Sequence, residues 1–199
     1  MSMDKPWDAM LASRLVAPLR DTAVTPNHLT TVRFLTGLVG VYLLARGEFN
    51  AGAWLIALST FLDHTDGELA RMTGKGSRLG HYYDLVSDAL ITIGMFLGLG
   101  MGVAGATGSH SATVLGAVAG VSVAGIFQMR NDMEARLGKT ATRQPNFAGF
   151  EPEDILYLLP LVTHGGYAMG FLKLAAVGAP AAALVVLVLF LRSRGGASA

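Results

Sequence analysis

The sequence predicts an all-α integral membrane protein: a bundle of six transmembrane helices preceded by an N-terminal amphipathic interfacial helix. Three observations carry this. Hydrophobic residues make up 52% of the 199 residues, and a further 25 are glycine, together well above the roughly 45–50% of a soluble domain. Charged residues are only 15%, against about 25% in soluble proteins. The apolar residues also fall in blocks close to the roughly 20 residues that a spanning helix needs. A soluble globule of this size cannot hide that much apolar surface. High apolar content excludes disorder, and no heptads recur. The absence of cysteine excludes a disulfide scaffold, thiolate catalysis and Cys-ligated zinc. A net charge of +1 leaves no global basic field, so no nucleic-acid partner is expected.

Residues 1–24 are the expected interfacial helix. They lack the continuous apolar core of a signal peptide. Trp7, Met10, Leu11, Leu15 and Leu19 fall on one helical face, with Lys5, Asp8, Arg14 and Asp21 off it. Residues 25–195 are the expected six-helix transmembrane domain. Its spans are Leu29–Ala45, Ala51–Leu69, Tyr83–Ala104, Ala112–Gln128, Ile155–Met169 and Phe171–Leu191. The fifth is short and holds Pro160. Gly94-x3-Gly98, Gly98-x3-Gly102 and Gly116-x3-Gly120 are small-residue faces suited to close packing, within one chain or between two copies.

Lysines and arginines set the orientation. The loops near 46–50, 105–111 and 164–170 carry Arg46 alone, and the opposite side carries eleven Lys and Arg. The positive-inside rule places both termini and the 72–80 and 130–150 loops in the cytoplasm, with an inner bacterial membrane as the expected location. The 130–150 loop is polar and long enough to cover a site. His110 and His164 fall in the outer loops and read as solvated.

The acids carry the chemistry. The second and third spans contain Asp63, Asp66, Asp84 and Asp88, and ionised carboxylates at membrane depth cost a few kcal/mol each. Asp63, Asp66, Gly67 and Ala70 share one helical stripe; Gly80, Asp84 and Asp88 share another. Thr73, Gly74, Gly76 and Ser77 between them are turn residues. The two helices are expected to form an antiparallel hairpin with facing acidic stripes near the cytoplasmic end. Facing carboxylates need cations, and an all-oxygen set suits Mg²⁺ first, then Mn²⁺ or Ca²⁺. His64 and His81 remain available as ligands. Two ions about 3.5–4 Å apart are the usual device for phosphoryl chemistry. Gly67, Ala70 and Gly80 allow a nucleotide or a neighbouring backbone close approach, and Arg71 can grip a diphosphate bidentately. Intramembrane acids also line ion paths in transporters. A cation path, however, needs neither the guanidinium nor the nucleotide-sized gap.

The string Asp63-x2-Asp66-Gly67-x2-Ala70-Arg71-x8-Gly80-x3-Asp84-x3-Asp88 resembles the signature of the CDP-alcohol phosphotransferase (phosphatidyltransferase) family at every fixed position. Upstream, Pro26-Asn27-His28-Leu29-Thr30-Thr31-Val32-Arg33 is similar to that family's approach to its first span. Arg71, Ser77 and Gly80 resemble the phosphatidylinositol-phosphate synthase branch. The specific match covers residues 25–90, and the second half matches in hydropathy.

The resemblance implies two metal ions, Mg²⁺ with Mn²⁺ as the alternative, held by Asp63, Asp66, Asp84 and Asp88. It implies that Asp88 also takes the proton of an acceptor hydroxyl as CMP leaves. Nucleotide contacts are implied at Asn27, Thr30, Gly67, Arg71 and Ser77, beside the small residues Ala70 and Gly80. The donor is CDP-diacylglycerol or a smaller soluble CDP-alcohol such as CDP-inositol; Glu68 and His64 make the motif more polar than in many phosphatidyl-transferring members. The acceptor is a hydroxyl compound. Were it phosphorylated, as inositol phosphate or glycerol phosphate is, Arg130 and Arg143 would be its cations. Glu151, Glu153 and Asp154 begin the fifth span. A homodimer is expected from the family. The rivals are a cation or proton transporter and an inactive lipid-binding subunit.

Overall fold

In the computed structural model, residues 7–138 and 156–195 are described, and they form helices joined by short turns with no strand among them. The helices are α1 (Trp7–Val16), α2 (Pro26–Ala45), α3 (Phe49–Thr73), α4 (Arg78–Thr107), α5 (Ser111–Leu137), α6 (Leu159–His164) and α7 (Ala168–Gly195). Helices α2, α4, α5 and α7 are each long and apolar enough to cross a membrane. The chain is thus an integral membrane protein. Helix α3 is 25 residues long, about 37 Å at 1.5 Å per residue. Its Asp63, Asp66, Glu68 and Arg71 lower its hydropathy.

Local chemistry explains the helix ends. Pro26 begins α2, where its missing N–H costs nothing. Helix α3 stops at Gly74, whose φ of 67° is left-handed and whose amide donates to the Ala70 carbonyl. Ser77 then caps α4, its Oγ accepting from the Gly80 amide at 2.9 Å.

Several boundaries differ from expectation. The turn after α3 is shorter than the expected 72–80 loop, because helix runs to Thr73 and resumes at Arg78. Helix α5 continues to Leu137, so Arg130, Asn131, Asp132, Glu134 and Arg136 are helical rather than looped. An Arg136 Nε–Asp132 Oδ1 pair of 3.1 Å, one turn apart, supports that extension. The fifth expected span is observed from residue 156 onward. There a 3-10 turn leads into α6, which has Pro160 in its first turn. The chain breaks at Gly166, with φ 72°, so Met169 belongs to α7 and not to the fifth span. Lys5, Lys139, Arg143, Glu151, Glu153 and Asp154 lie outside the described residues.

Helix α2 is the hub. It packs on α3 along one side and on α4 along the other; α5 packs on α4, α7 on α5, and α1 and α6 on α3. Helices α3 and α4 follow one another in sequence yet scarcely touch. The acidic stripes of α3 and α4 do meet, but the two helices are joined through α2, which packs on both, rather than by close backbone packing on each other. Small residues make this arrangement. A Cβ on Gly52 of α3 would lie 2.9 Å from the Gly40 carbonyl oxygen of α2, and one on Gly98 of α4 would lie 2.7 Å from that of Val41. Gly116 and Gly120 of α5 meet Phe96 and Ile93 of α4 in the same way. The glycine stripes thus serve packing within the chain, where close backbone approach replaces a hydrophobic driving force.

The core gathers Leu44, Ile56, Met95, Phe96, Leu99, Leu159 and Leu172. In α1 the buried positions are Ala12 and Val16. Met10, Leu11 and Leu15 are exposed.

Candidate functional site

Asp63 and Asp66 stand one turn apart on α3, and Asp84 and Asp88 one turn apart on α4. The fold brings one carboxylate oxygen each of Asp63, Asp66 and Asp84 within 4.8 Å of one another. Asp88 completes the cluster through Arg33 of α2. The Arg33 side chain is 3% exposed, and its guanidinium reaches both helices. Nε lies 3.0 Å from Asp63 Oδ1 and 3.7 Å from Asp66 Oδ2. Nη2 donates to Asp84 Oδ1 at 2.7 Å, and Nη1 to Asp88 Oδ1 at 2.5 Å. Four acids thus face one guanidinium.

A divalent cation fits that residue set. The donors are all carboxylate oxygens, as hard cations require. Asp63 Oδ1 is buried and receives no hydrogen bond, although Arg33 Nε is near. Asp66 is held from behind, its Oδ2 accepting the Thr30 hydroxyl at 2.6 Å. The four acids differ in access: Asp66 is 6% exposed, Asp63 and Asp84 32%, and Asp88 37%. Asp66 therefore sits at the back of the cluster and Asp88 nearest to an incoming molecule.

Asp63, Asp84 and Asp88 line a cavity of about 580 Å³ between α2, α3, α4 and α5. Gln128, Asn131 and Glu134 of α5 add further polar lining to it, with His64 and His81. Its inner wall is apolar, including Ile56, Leu85, Met95 and Phe127. Arg130 is not among its lining residues, and Arg143 lies outside the described residues.

The residues expected to contact a nucleotide fall into two groups. Asn27, Ser77 and Gly80 meet where α2 and α4 begin: a Cβ on Gly80 would lie 2.6 Å from Asn27 Oδ1 and 3.0 Å from Ser77 Oγ. Gly67 and Arg71 meet on α3, where the guanidinium lies 3.5 Å from the position of a Gly67 Cβ. Ala70 ends the same stripe, its carbonyl taking the Gly74 amide. Arg71 is half exposed and donates to buried Glu68 at 2.9 Å. Glu68 is not among the three acids that share the metal-binding geometry. Thr30, one turn on from Asn27, donates its hydroxyl to Asp66.

Two features were not singled out from the sequence. Arg33 was read only as part of the first-span string, although a guanidinium inside a spanning segment is itself a signal of a buried anionic partner. The Gln128–Asn131–Glu134 face follows a helical period that becomes visible once α5 is known to run past residue 130.

A family model described as CDP-alcohol phosphatidyltransferase matches residues 23–191. A bifunctional IPC transferase and DIPP synthase of Rubrobacter xylanophilus is 32% identical over 171 residues, 84% of this chain and 34% of that protein. The archaetidylinositol phosphate synthase of Pyrococcus horikoshii is 36% identical over 90 residues, 45% of this chain and 47% of that protein. The chain thus spans between a third and a half of the length of these two relatives. In fold it is similar to Mycobacterium tuberculosis phosphatidylinositol phosphate synthase with CDP-DAG bound. That likeness has a TM-score of 0.64 at 19% identity and covers 94% of this chain and 92% of the other. The same enzyme in complex with manganese and citrate matches equally, with 93% and 88% covered.

Proposed function

The chain belongs to the CDP-alcohol phosphatidyltransferase family, and from that premise we propose that it moves a phosphatidyl group from CDP-diacylglycerol to an acceptor hydroxyl in phospholipid synthesis. The observation that carries this is the clustering of Asp63, Asp66 and Asp84, with Asp88 joined to them through Arg33, beside a cavity that Asp63, Asp84 and Asp88 line. The donor is supported by the fold neighbour with CDP-DAG bound. A polyol phosphate is the acceptor class that fits relatives named as inositol phosphate lipid synthases.

In the proposed reaction the acceptor oxygen attacks the β-phosphorus of the CDP-alcohol. The new P–O bond forms as the bond to the bridging oxygen breaks, and CMP leaves with that electron pair. The acceptor proton passes to Asp88, the most accessible of the four acids. Two Mg²⁺ or Mn²⁺ ions, held by Asp63, Asp66, Asp84 and Asp88, would supply charge stabilisation on the diphosphate. Arg71, Asn27, Thr30, Ser77 and the small residues Gly67, Ala70 and Gly80 line the nucleotide's path. Gln128, Asn131 and Glu134 offer the acceptor's hydroxyls a polar wall. Arg130, beside Asn131, and Arg143 are the proposed cations for its phosphate.

The same reading proposes six spans, with α1 laid in the interface on its exposed Met10, Leu11 and Leu15. Both termini and the site then face the cytoplasm of a bacterial inner membrane, and the enzyme works as a homodimer.

CMP release by the purified chain in nanodiscs tests the proposal. CDP-diacylglycerol and Mg²⁺ or Mn²⁺ are supplied with inositol, inositol phosphate, glycerol phosphate, serine or no acceptor. Acceptor-dependent CMP that vanishes with EDTA is the expected result and identifies the acceptor. No CMP with any acceptor overturns the phosphatidyl version. Failure with CDP-inositol and CDP-glycerol as well would bring ion transport forward.

A further inference from the structure

Helices α3 and α4 scarcely touch, so their own packing does not set the distance between the Asp63–Asp66 pair and the Asp84–Asp88 pair. The group that spans the gap is the Arg33 guanidinium. Its Nη1 and Nη2 donate to the α4 acids, whereas Nε pairs with the α3 acids by charge at 3.0 and 3.7 Å without a hydrogen bond. Nη2 also donates to the Asp84 backbone carbonyl at 3.2 Å, which ties it to the α4 main chain. Arg33 is itself held at its backbone: its carbonyl accepts the Ser59 hydroxyl of α3 at 2.9 Å. The side chain is buried, so no solvent contact competes for its donors.

A guanidinium can do this where an ammonium cannot. Its five N–H donors lie in one rigid plane and point in separate directions, so one side chain can address carboxylates on two helices at once. It also places a fixed positive charge among four negative ones, which relieves their repulsion.

Building on the metal reading above, we propose that Arg33 is the positioning residue of the metal site: it ties the α3 acids to the α4 acids and holds them in register for the ions. Two consequences follow. Loss of the fork with retention of charge weakens ion binding, because the acids are no longer held at a common spacing. Loss of the charge removes the cation that all four acids share, so the fold leans more on the metal.

The test uses the full chain in detergent or nanodiscs, with Mn²⁺ alone as the probe. Thermal unfolding is followed in EDTA and across a Mn²⁺ titration, and bound Mn²⁺ is counted by electron paramagnetic resonance. In the wild type, Mn²⁺ raises Tm along a saturable curve. In Arg33→Lys the half-saturating Mn²⁺ concentration rises by about 10- to 100-fold, the usual effect of removing a partner that orients metal ligands. In Arg33→Gln the fall in Tm is larger in EDTA than in saturating Mn²⁺. A wild-type Mn²⁺ titration for Arg33→Lys overturns the inference, whatever Arg33→Gln does. Equal falls in EDTA and Mn²⁺ for Arg33→Gln reduce Arg33 to a packing residue and also overturn it. If Mn²⁺ leaves the wild type unchanged, the metal reading itself is wrong, and that result is distinct from the other two.

Discussion

Thr30 donates its hydroxyl proton to Asp66 Oδ2 over 2.6 Å, from α2 to α3, with both residues buried. The bond fixes the least accessible acid of the cluster. Thr30→Val keeps the shape and removes the donor. A hydrogen bond to a charged group is worth about 1.5–3 kcal/mol, and a loss of that order is expected in the unfolding free energy. The half-saturating Mn²⁺ concentration should rise with it. Thr30→Ser should restore both. Thr30→Val with wild-type stability and metal titration would show that the hydroxyl contributes to neither.

Gly80 gives Asn27 room at the start of α4. A Cβ there would lie 2.6 Å from Asn27 Oδ1, so Gly80→Ala must push the carboxamide or the helix aside. Asn27 is exposed and its carboxamide can swing away, so the cost in stability is below about 1 kcal/mol and the effect falls on the donor site. The KM for the CDP-donor should rise while the acceptor KM stays put. Asn27→Ala alone should also raise the donor KM. The double variant should be less destabilised than the two single costs added together, since Asn27→Ala clears the clash. Simple additivity in a double-mutant cycle would contradict this contact.

Two glycines offer a matched pair for the packing argument. A Cβ on Gly98 would lie 2.7 Å from the Val41 carbonyl oxygen, a backbone atom that cannot swing away. A Cβ on Gly125 would meet nothing within 4 Å. Gly98→Ala should therefore separate α2 from α4, lowering stability by about 1–3 kcal/mol and loosening the grip of Arg33 on Asp84 and Asp88. Gly125→Ala should be neutral or gain up to about 1 kcal/mol. Thermal unfolding in one detergent compares them, and a similar loss in both would argue against close α2–α4 packing.

Asp88 stands outside the group of three acids whose oxygens lie within 4.8 Å. Asp88→Asn should lower CMP release by about 10²–10⁴-fold, the usual contribution of a proton-accepting side chain. Its Mn²⁺-induced rise in Tm should shrink but persist, because Asp63, Asp66 and Asp84 still offer a ligand set. Asp84→Asn should lose both. Measuring turnover and metal-linked Tm on the same preparations separates the two roles. Asp88→Asn with full turnover would remove Asp88 from the proton step.

The acids were legible because helical geometry is local. Three- and four-residue spacings place Asp63 with Asp66, and Asp84 with Asp88, on single faces whatever surrounds them. Ionised groups inside apolar blocks also demand a partner or a cation. The glycine stripes were legible for the same reason, but not what they pack against: Gly98 faces Val41 within the chain, and no spacing rule could have named it. The end of α5 was misplaced because polar residues at 130–136 look like loop, while pairs such as Arg136–Asp132 stabilise them as helix.

Length, blocked hydropathy, the two acidic stripes and the turn between them were determined by the sequence itself, since each depends on residues within a few positions of one another. Tertiary structure alone decided that α3 and α4 are joined through α2 and that Arg33 sits among all four acids. It also decided that Thr30 supports Asp66 and that Gln128, Asn131 and Glu134 line one cavity with Asp63, Asp84 and Asp88. These depend on which helix face meets which, and that is settled by backbone approach at Gly40, Gly52 and Gly98, contacts between residues far apart in the chain.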